Sequence, residues 1–397
     1  MLLNTKQQLI LDYIANGNNT FITGFAGSCK SYLISFICTV LKNKIFGLSA
    51  MTGCAAILIG GNTLHSLLSI GLAKDDPEGL FKRIKKYNKL TYLRSLDVLI
   101  IDEVSMLSDI LFDKLDSLFK LIKNNKLLFG GIQLIFIGDM FQLQPIEGDY
   151  CFKSPNWKFD TVILTENMRV QNDIEFEELL KNIRYGTIND TDYKMLNAMK
   201  KTTFENNIIP TKLYSTNKEV DAINEYCLNN LNNSEMFTYN TININKSKET
   251  TNYVKNFKKL SLCVGAQVMI TRNIDLANGI VNGTRGIIEN LNNKLITLKL
   301  VSGKFYTLTY FHVIPEPELN INFKYIPLIL SWAMSIHKCQ GATLDAIEID
   351  LGETIFANGQ AYTAISRAKN KNSVKISGLS KKSIKTSQSV LDFYKLN

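Results

Sequence analysis

The sequence predicts an α/β protein with two domains in tandem, each built on a parallel sheet, and a small β-barrel insertion in the second domain. At 397 residues the chain is long enough for two or more domains. Short apolar, β-branched runs recur with helical stretches between them, which is typical of parallel strands covered by helices on both faces. Between about residues 240 and 320 the runs become short and alternating, which indicates hairpins.

The apolar runs mark the expected parallel strands. In the first domain, which we place at residues 1–170, they are Phe21–Thr23, Val98–Ile101, Leu134–Ile137 and Val162–Leu164. In the second domain, at residues 171–397, they are Lys212–Ser215, Leu328–Trp332, Ala346–Leu351 and Ser373–Ser377. The hairpins of the insertion are delimited by turn signals at Asn282-Gly283, Asn292-Asn293 and Ser302-Gly303.

Composition narrows the class of protein. The 45 Lys and Arg residues exceed the 36 Asp and Glu residues, which gives a net charge of +9 and indicates a polyanionic partner. A hydrophobic content of 45% excludes a disordered chain. No apolar run approaches the roughly 18 residues of a membrane-spanning helix, and Lys6 and Asp12 interrupt any signal-peptide core. Seven cysteines without a CxxC pair suit an intracellular, reducing compartment.

A loop of small residues follows the first strand and precedes an apolar helix expected at Tyr32–Leu41. It reads Gly24-Phe25-Ala26-Gly27-Ser28-Cys29-Lys30-Ser31. A strand, such a loop, Lys-Ser and a helix form a phosphate cradle, in which backbone N–H groups and the helix N-terminus face the anion. Lys30 then reaches the β- and γ-phosphates, and the Ser31 hydroxyl ligates Mg²⁺. Cys29 stands where glycine is usual, so an ordinary glycine-rich turn stays open as the alternative.

Two acidic residues end the strand expected at Val98–Ile101. Asp102 is placed to hold Mg²⁺, directly or through water, and Glu103 to polarise the attacking water. The alternative is a strand-to-helix cap, because acidic residues are favoured at the start of the helix expected around residues 106–115.

Three further side chains suit phosphoryl transfer. Gln142 follows the strand Leu134–Ile137, and its amide can donate and accept hydrogen bonds at once, as a side chain that senses the γ-phosphate requires. Arg169, at the domain junction, and Arg367, in the second domain, fit stabilisation of transition-state charge across a cleft, an effect of roughly 10³ to 10⁵ in rate for arginine fingers. Taken singly, either arginine is more typical of a surface ion pair.

The order of motifs resembles the PIF (petite integration frequency) family of DNA helicases, in the RecD-like 5′-to-3′ branch of superfamily 1. The resemblance covers nearly the whole chain, and the number, order and spacing of the motifs make it specific. The chain starts almost at the first motif, which predicts a bare helicase core. Besides the phosphate loop, the matching segments are Leu3–Gln7, Met51–Ala56, Gly60–His65, Asp102–Met106, Gly138–Pro145, Leu164–Arg169, Ile183–Gly186, Leu213–Asn217, Gly265–Met269, Ser335–Gly341 and Tyr362–Ala368.

The resemblance implies two RecA-like P-loop NTPase domains that use ATP and Mg²⁺ to move 5′-to-3′ on single-stranded DNA and to unwind duplexes, with single-stranded and forked DNA as partners. It implies that Gln7 reads adenine. It assigns nucleic-acid contacts to a set of polar residues, because hydroxyl, amide and imidazole groups bind phosphate oxygens without reading bases. These residues are Thr52, His65, Asn217, His337 and Lys338. For the two histidines, the alternative is a satisfied core position.

A basic segment at about residues 70–94 lies where the family places its strand-separating wedge. A solvated helix face is an equally good interpretation. The basic residues are Lys82, Arg83, Lys85, Lys86, Lys89 and Arg94. The last 37 residues carry a further excess of positive charge, which suits either DNA contact or a solvated tail.

Two other functions compete with an ATP-driven DNA helicase. An ATP-binding single-stranded-DNA clamp whose ATPase has decayed is suggested by Cys29, and the intact Lys30 and Glu103 argue against it. An unrelated P-loop kinase or GTPase leaves the second α/β half and Arg367 unexplained. Nucleotide turnover in the presence and absence of DNA separates the three.

Overall fold

The computed structural model describes residues 4–28, 30–165, 173–204, 209–231, 235–247, 250–251, 254, 259–275, 278, 280–313 and 321–396. The chain divides into two compact units. Unit 1 consists of Met1–Lys194, Ile355–Ser366 and Ser380–Asn397, and unit 2 of Met195–Thr354 and Arg367–Leu379. Within the described ranges, no helix has the length and apolarity needed to cross a membrane.

Unit 1 is built on a parallel sheet. Its described strands are β1 (Thr20–Gly24), β2 (Phe46–Ala50), β3 (Asn62–Thr63), β4 (Val98–Asp102), β5 (Gln133–Gly138) and β6 (Asp160–Leu164). They lie in the order β3-β2-β4-β5-β1-β6, and every pairing is parallel. Strands β1, β4 and β5 are buried along their whole length, as expected for a sheet with helices on both faces.

Helices connect and cover the strands. In chain order they are α1 (Thr5–Ala15), α2 (Lys30–Val40), α3 (Gly53–Leu58), α4 (Leu64–Leu67), α5 (Pro77–Lys86), α6 (Leu90–Ser95), α7 (Asp109–Lys123), α8 (Ile174–Tyr185), α9 (Asp190–Ala198), α10 (Asn217–Asn229), α11 (Gln360–Ile365) and α12 (Gln388–Leu396). One apolar cluster joins α1, α2 and the sheet through residues such as Ile10, Leu33 and Ile135.

Unit 2 combines a parallel sheet with antiparallel ones. Its described strands are β7 (Thr211–Tyr214), β8 (Phe237–Tyr239), β9 (Ile242–Asn243), β10 (Leu260–Leu262), β11 (Gln267–Ile270), β12 (Arg285–Leu291), β13 (Ile296–Leu300), β14 (Phe305–Leu308), β15 (Phe311–Val313), β16 (Phe323–Tyr325), β17 (Leu328–Leu330), β18 (Ala333–Ser335), β19 (Ile347–Leu351) and β20 (Val374–Leu379). The parallel sheet has the order β18-β7-β19-β20, and the largest antiparallel sheet the order β14-β13-β12-β11-β17. The α/β class is confirmed, with antiparallel sheets where the β-rich insertion was expected.

One strand assignment was wrong. The run Leu328–Trp332 was expected as a single parallel strand, but the backbone divides it between two sheets. Its first part, β17, pairs antiparallel with β11, and the Ser331 N–H donates to the Gln267 carbonyl at 2.9 Å. The next carbonyl, of Trp332, accepts from the Lys212 N–H of the parallel sheet at 2.9 Å. An apolar run indicates burial but not which neighbour a strand pairs with.

The two compact units differ from the expected domains at 1–170 and 171–397. Unit 1 continues to Lys194, and it also includes Ile355–Ser366 and Ser380–Asn397 from the last part of the chain. The reason is packing: Arg184 on α8 is only 2% exposed, and the Phe393 ring of α12 stacks on Phe152 with centroids 4.3 Å apart. The C-terminal segment is therefore a folded part of unit 1 rather than a solvated tail, and Lys381 within it pairs with Asp190 at 3.2 Å.

Candidate functional site

The phosphate loop joins β1 to α2 in unit 1. Gly24 ends β1 so close to β6 that a Cβ there would lie 2.4 Å from the Leu164 carbonyl oxygen, and Gly27 has φ +91°. Both positions therefore need glycine. Cys29 and the Ser31 side chain lie outside the described part of the structure, so their predicted roles stay predictions.

Lys30 turns back into this loop. Its Nζ donates to the carbonyls of Gly24 and Phe25, both at 2.9 Å, and to the Ser28 hydroxyl at 3.3 Å. Burial lowers the pKa of Lys30, and the carboxylates of Asp139, Glu103 and Asp102 act against that shift. The Lys30 ammonium group is thus held inside the loop, and acidic residues at the neighbouring strand ends surround it. A phosphate bound in the loop would lie next to this positive charge.

The acidic pair lies at the carboxyl end of β4. Asp102 is 3% exposed, and its Oδ1 accepts the Glu103 backbone N–H at 2.8 Å. Glu103 has φ +55° and ψ +42°, a left-handed conformation that few residues other than glycine adopt and that clusters at functional sites. The cap interpretation is not supported, because Glu103 makes no side-chain cap hydrogen bond and α7 is capped by Ser108, whose Oγ accepts from Leu111 N–H at 3.2 Å.

Gln142 follows β5 in a tight turn. Its N–H donates to the Asp139 carbonyl at 2.9 Å, and its side chain is 3% exposed. The Gln142 Oε1 atom is buried and has no hydrogen-bond partner among the described residues. A buried amide oxygen left unpaired is costly, so the atom fits a group supplied by a ligand. Lys30, the acidic pair and this amide together suit a nucleoside triphosphate.

A buried network behind the phosphate loop was missed by sequence reasoning. Asp139, which follows β5, accepts from Arg184 Nη2 at 2.8 Å and Nε at 3.3 Å. The same carboxylate accepts from the Tyr362 hydroxyl at 3.1 Å and from the Phe141 N–H at 3.2 Å. Tyr362 in turn accepts the Ala26 N–H at 2.9 Å. Asp139, Arg184 and Tyr362 each lie in a segment that resembles a family motif, but nothing in the sequence indicates that the three side chains meet.

Three further residues were predicted for the ATP site. Gln7 belongs to a capping box at the start of α1, where its Oε1 accepts from the Asn4 N–H at 3.0 Å and its own N–H donates to Asn4 Oδ1 at 2.8 Å. Arg169 lies outside the described residues. Arg367 belongs to unit 2, where its carbonyl accepts the Leu344 N–H at 2.9 Å. Its catalytic role stays a prediction.

The predicted DNA contacts of unit 1 lie at adjacent strand ends. Thr52 follows β2 and His65 follows β3, and these strands pair through Ala50 and Thr63. The Thr52 hydroxyl accepts from the Ala55 N–H at 3.2 Å. Burial lowers the pKa of His65 below its ordinary value, so the imidazole is neutral at pH 7.

Unit 2 repeats this arrangement. Asn217 follows β7, and His337 and Lys338 follow β18, with Tyr214 and Ser335 in register. Asn217 and Lys338 are exposed, and His337 is half-buried with its pKa lowered by burial. Within each unit, the structure therefore brings the predicted contacts to one edge of the parallel sheet.

The basic segment forms helices α5 and α6, and its cations divide into two groups. Arg83 donates to the Ser69 carbonyl and Arg94 to the Ile122 carbonyl, each at 3.1 Å, while Lys89 is 3% exposed over the Tyr92 ring. The exposed cations are Lys82, Lys85, Lys86 and Arg94. Three cations therefore help to hold the helices in place, and the three lysines of α5 are open to a partner.

Comparisons with known proteins place the chain in a family. A model described as PIF1-like helicase matches residues 2–194, and one described as DNA helicase Pif1, 2B domain, matches residues 251–291. ATP-dependent DNA helicase PIF1 of Xenopus laevis is 34% identical over 99% of this chain, which spans 64% of the relative's length. ATP-dependent DNA helicase Pif1 of Bdellovibrio bacteriovorus is 32% identical over 99% of this chain and 92% of the relative.

Solved structures agree with these matches. The crystal structure of Pif1 helicase from Candida albicans has a TM-score of 0.83 and 33% identity, covering 100% of this chain and 99% of that one. The crystal structure of Bacteroides Pif1 bound to single-stranded DNA has a TM-score of 0.71 and 28% identity, covering 100% of this chain and 97% of that one.

Proposed function

The chain belongs to the PIF1-like helicase family, and from this premise we propose that it is an ATP-dependent DNA helicase that moves along single-stranded DNA and separates duplexes. The observation that carries the proposal is the grouping of Lys30, the Asp102–Glu103 pair and Gln142 in unit 1. They follow β1, β4 and β5, which are neighbours in the sheet. Parallel strands place their carboxyl ends at one edge, where such folds bind nucleotides.

Each residue of this group has a distinct role in ATP hydrolysis. Lys30 exchanges its carbonyl partners for the β- and γ-phosphates of ATP, and the loop N–H groups hold the same oxygens. Glu103 orients and polarises the attacking water. The buried Gln142 Oε1 accepts a hydrogen bond from water beside the γ-phosphate, and the side-chain amide N–H donates to a γ-phosphate oxygen. Gln142 thereby distinguishes ATP from ADP.

Mg²⁺ is the proposed cofactor. The residues that would hold it are Ser31 and Asp102, and when bound with ATP the ion neutralises charge that develops on the phosphates. The described residues contain no cluster of three or more His, Cys, Asp or Glu side chains suited to a metal. Mg²⁺ is usually held by one or two protein groups together with substrate phosphates.

Single-stranded DNA is the proposed track, and forked DNA the proposed unwinding substrate. Thr52 and His65 in unit 1, and Asn217, His337 and Lys338 in unit 2, offer contacts to the phosphate backbone. Most of these groups are neutral donors or acceptors, which suit a motor that does not read sequence. The exposed cations of α5 support a strand-separating role for that segment, and movement is proposed to be 5′-to-3′ by family membership.

The test is ATP turnover with and without a single-stranded oligonucleotide, beside unwinding of duplexes with a 5′ or a 3′ tail. We expect turnover that rises on addition of DNA, and unwinding that requires the 5′ tail. DNA binding without hydrolysis would identify the decayed clamp, and hydrolysis unaffected by DNA would identify an unrelated P-loop enzyme. Unwinding from a 3′ tail alone would contradict the polarity and leave the helicase activity standing.

A further inference from the structure

Resting on the ATP site just proposed, we propose that Tyr362 is a positioning residue for ATP, which holds the phosphate loop ready through a hydrogen bond from its hydroxyl group to the loop backbone. Tyr362 is carried by α11, a segment near the end of the chain that belongs to unit 1. Its hydroxyl joins the Ala26 N–H, at 2.9 Å, to Asp139 Oδ2, at 3.1 Å. Among the residues that the structure describes, no other side chain from outside the loop hydrogen-bonds to the backbone of residues 24–28.

The orientation of this hydroxyl is set by its neighbours. A carboxylate is only an acceptor, so the Tyr362 proton goes to Asp139 and an oxygen lone pair is left for the Ala26 N–H. Arg184 holds Asp139 with two nitrogens, at 2.8 and 3.3 Å, and keeps that carboxylate in place. Burial raises the pKa of Tyr362 above its ordinary value, so the phenol keeps its proton at any working pH.

The adjacent loop residue is held by the same network. The Arg184 guanidinium carbon lies 4.4 Å from the centroid of the Phe25 ring, a cation–π distance. Two consecutive loop residues, Phe25 and Ala26, are therefore fixed from outside the loop. Their position matters for binding, because the Phe25 carbonyl accepts both from Lys30 Nζ at 2.9 Å and from the Ser28 N–H at 3.1 Å.

When the phosphate loop is already held in one conformation, less of the free energy of ATP binding is spent on ordering it. Removing the Tyr362 hydroxyl leaves the Ala26 N–H without its partner and leaves Asp139 Oδ2 with Arg184 Nε alone. The loop then gains conformations that do not bind phosphate. The effect falls on ATP affinity rather than on the chemical step, since Tyr362 touches neither Glu103 nor Gln142 in any described contact. A purely structural tyrosine would lower the melting temperature alone.

The experiment compares Tyr362→Phe with Tyr394→Phe. Tyr394 is a matched control, because its buried hydroxyl pairs with Thr23 Oγ1 and accepts the Met140 N–H at 3.3 Å without touching residues 25–28. We expect Tyr362→Phe to raise the KM for ATP about tenfold, the size of one buried hydrogen bond. Its kcat and its affinity for single-stranded DNA should stay within about twofold. In Tyr394→Phe the KM should stay within about twofold, whereas the melting temperature falls in both variants.

Amide exchange supplies a second measurement on the wild-type protein. The Ala26 N–H should exchange slowly without nucleotide, and in Tyr362→Phe it should exchange at the rate of an open loop. Equal KM values in the two variants, or fast exchange of Ala26 in the wild type, would overturn the inference. If Tyr362→Phe fails to fold, the exchange rate of Ala26 in the wild-type protein is the deciding measurement. Failure of the wild-type protein to bind ATP would instead overturn the proposed function.

Discussion

The backbone N–H of Glu103 donates to Oδ1 of Asp102 at 2.8 Å. One carboxylate of the pair thereby fixes the backbone that carries the other, and it does so at a residue with φ +55°. A non-glycine residue in this conformation costs of order 1 to 3 kcal/mol. This strained backbone is not needed to cap α7, because Ser108 caps that helix. A requirement that the Glu103 carboxylate face a reacting group would explain it.

We therefore expect Glu103→Gln to bind ATP normally and to hydrolyse it at least about 10²-fold more slowly, because general base assistance is worth roughly 10² to 10⁴ in rate. The amide keeps the size of the side chain and loses the charge that polarises water. Fluorescent-nucleotide binding and steady-state turnover measure the two effects. Glu147→Gln, an exposed position in the same unit, is the control. A matching loss of nucleotide affinity in Glu103→Gln would contradict the assignment.

Lys30→Ala should abolish hydrolysis while single-strand binding stays within about twofold. The lysine ammonium lies inside the phosphate loop, and the predicted DNA contacts of unit 1 follow β2 and β3, which do not pair with β1. Turnover assays and oligonucleotide anisotropy on the same preparation test this, with Lys42→Ala as the exposed-lysine control. A parallel fall in DNA affinity would mean that the two sites are not separable.

Much of the ATP site could be predicted because its signals are local. Lys30, Asp102 and Gln142 each follow an apolar strand by a few residues, so the order of residues alone is enough to predict their position at a strand end. Asp139, Arg184 and Tyr362 form one network across more than 200 positions of sequence, and no periodicity marks an arginine as facing inward. The strand β2 was also missed, since Gly47 and Ser49 interrupt its apolar run. Local patterns predict elements, whereas partners depend on the tertiary fold.

Arg367→Ala should lower kcat by roughly 10³ to 10⁵ and leave the KM for ATP within a few-fold, if Arg367 acts on charge that develops only in the transition state. Pre-steady-state hydrolysis in the presence of single-stranded DNA separates the two constants. Lys369→Ala is the control, because that lysine is an exposed partner of Asp345. Arg367 is 1% exposed, and turnover at the wild-type rate would identify it as a buried structural residue of unit 2.

Asp139→Asn should lower the free energy of unfolding by about 3 to 5 kcal/mol, because it leaves the buried Arg184 charge without its counter-ion. Both side chains are almost fully buried, with 0% and 2% exposure. Urea denaturation measures the loss. Asp345→Asn breaks an exposed pair with Lys369, 2.6 Å apart with side chains 26% and 54% exposed, and should cost less than about 1 kcal/mol. Equal losses in the two variants would mean that Arg184 is stabilised by its aromatic neighbours alone.

Salt dependence should separate the contributions of His337 and Lys338 to single-strand binding. Each phosphate neutralised by a cation contributes roughly −0.7 to the log–log slope of affinity against salt. Lys338 is exposed and charged, so Lys338→Ala should flatten the slope by about that amount. Burial lowers the pKa of His337 below its ordinary value, so its imidazole is predominantly neutral at pH 7.5. His337→Asn should therefore weaken binding without changing the slope at this pH, and a flatter slope in this variant would show that the histidine binds as a cation.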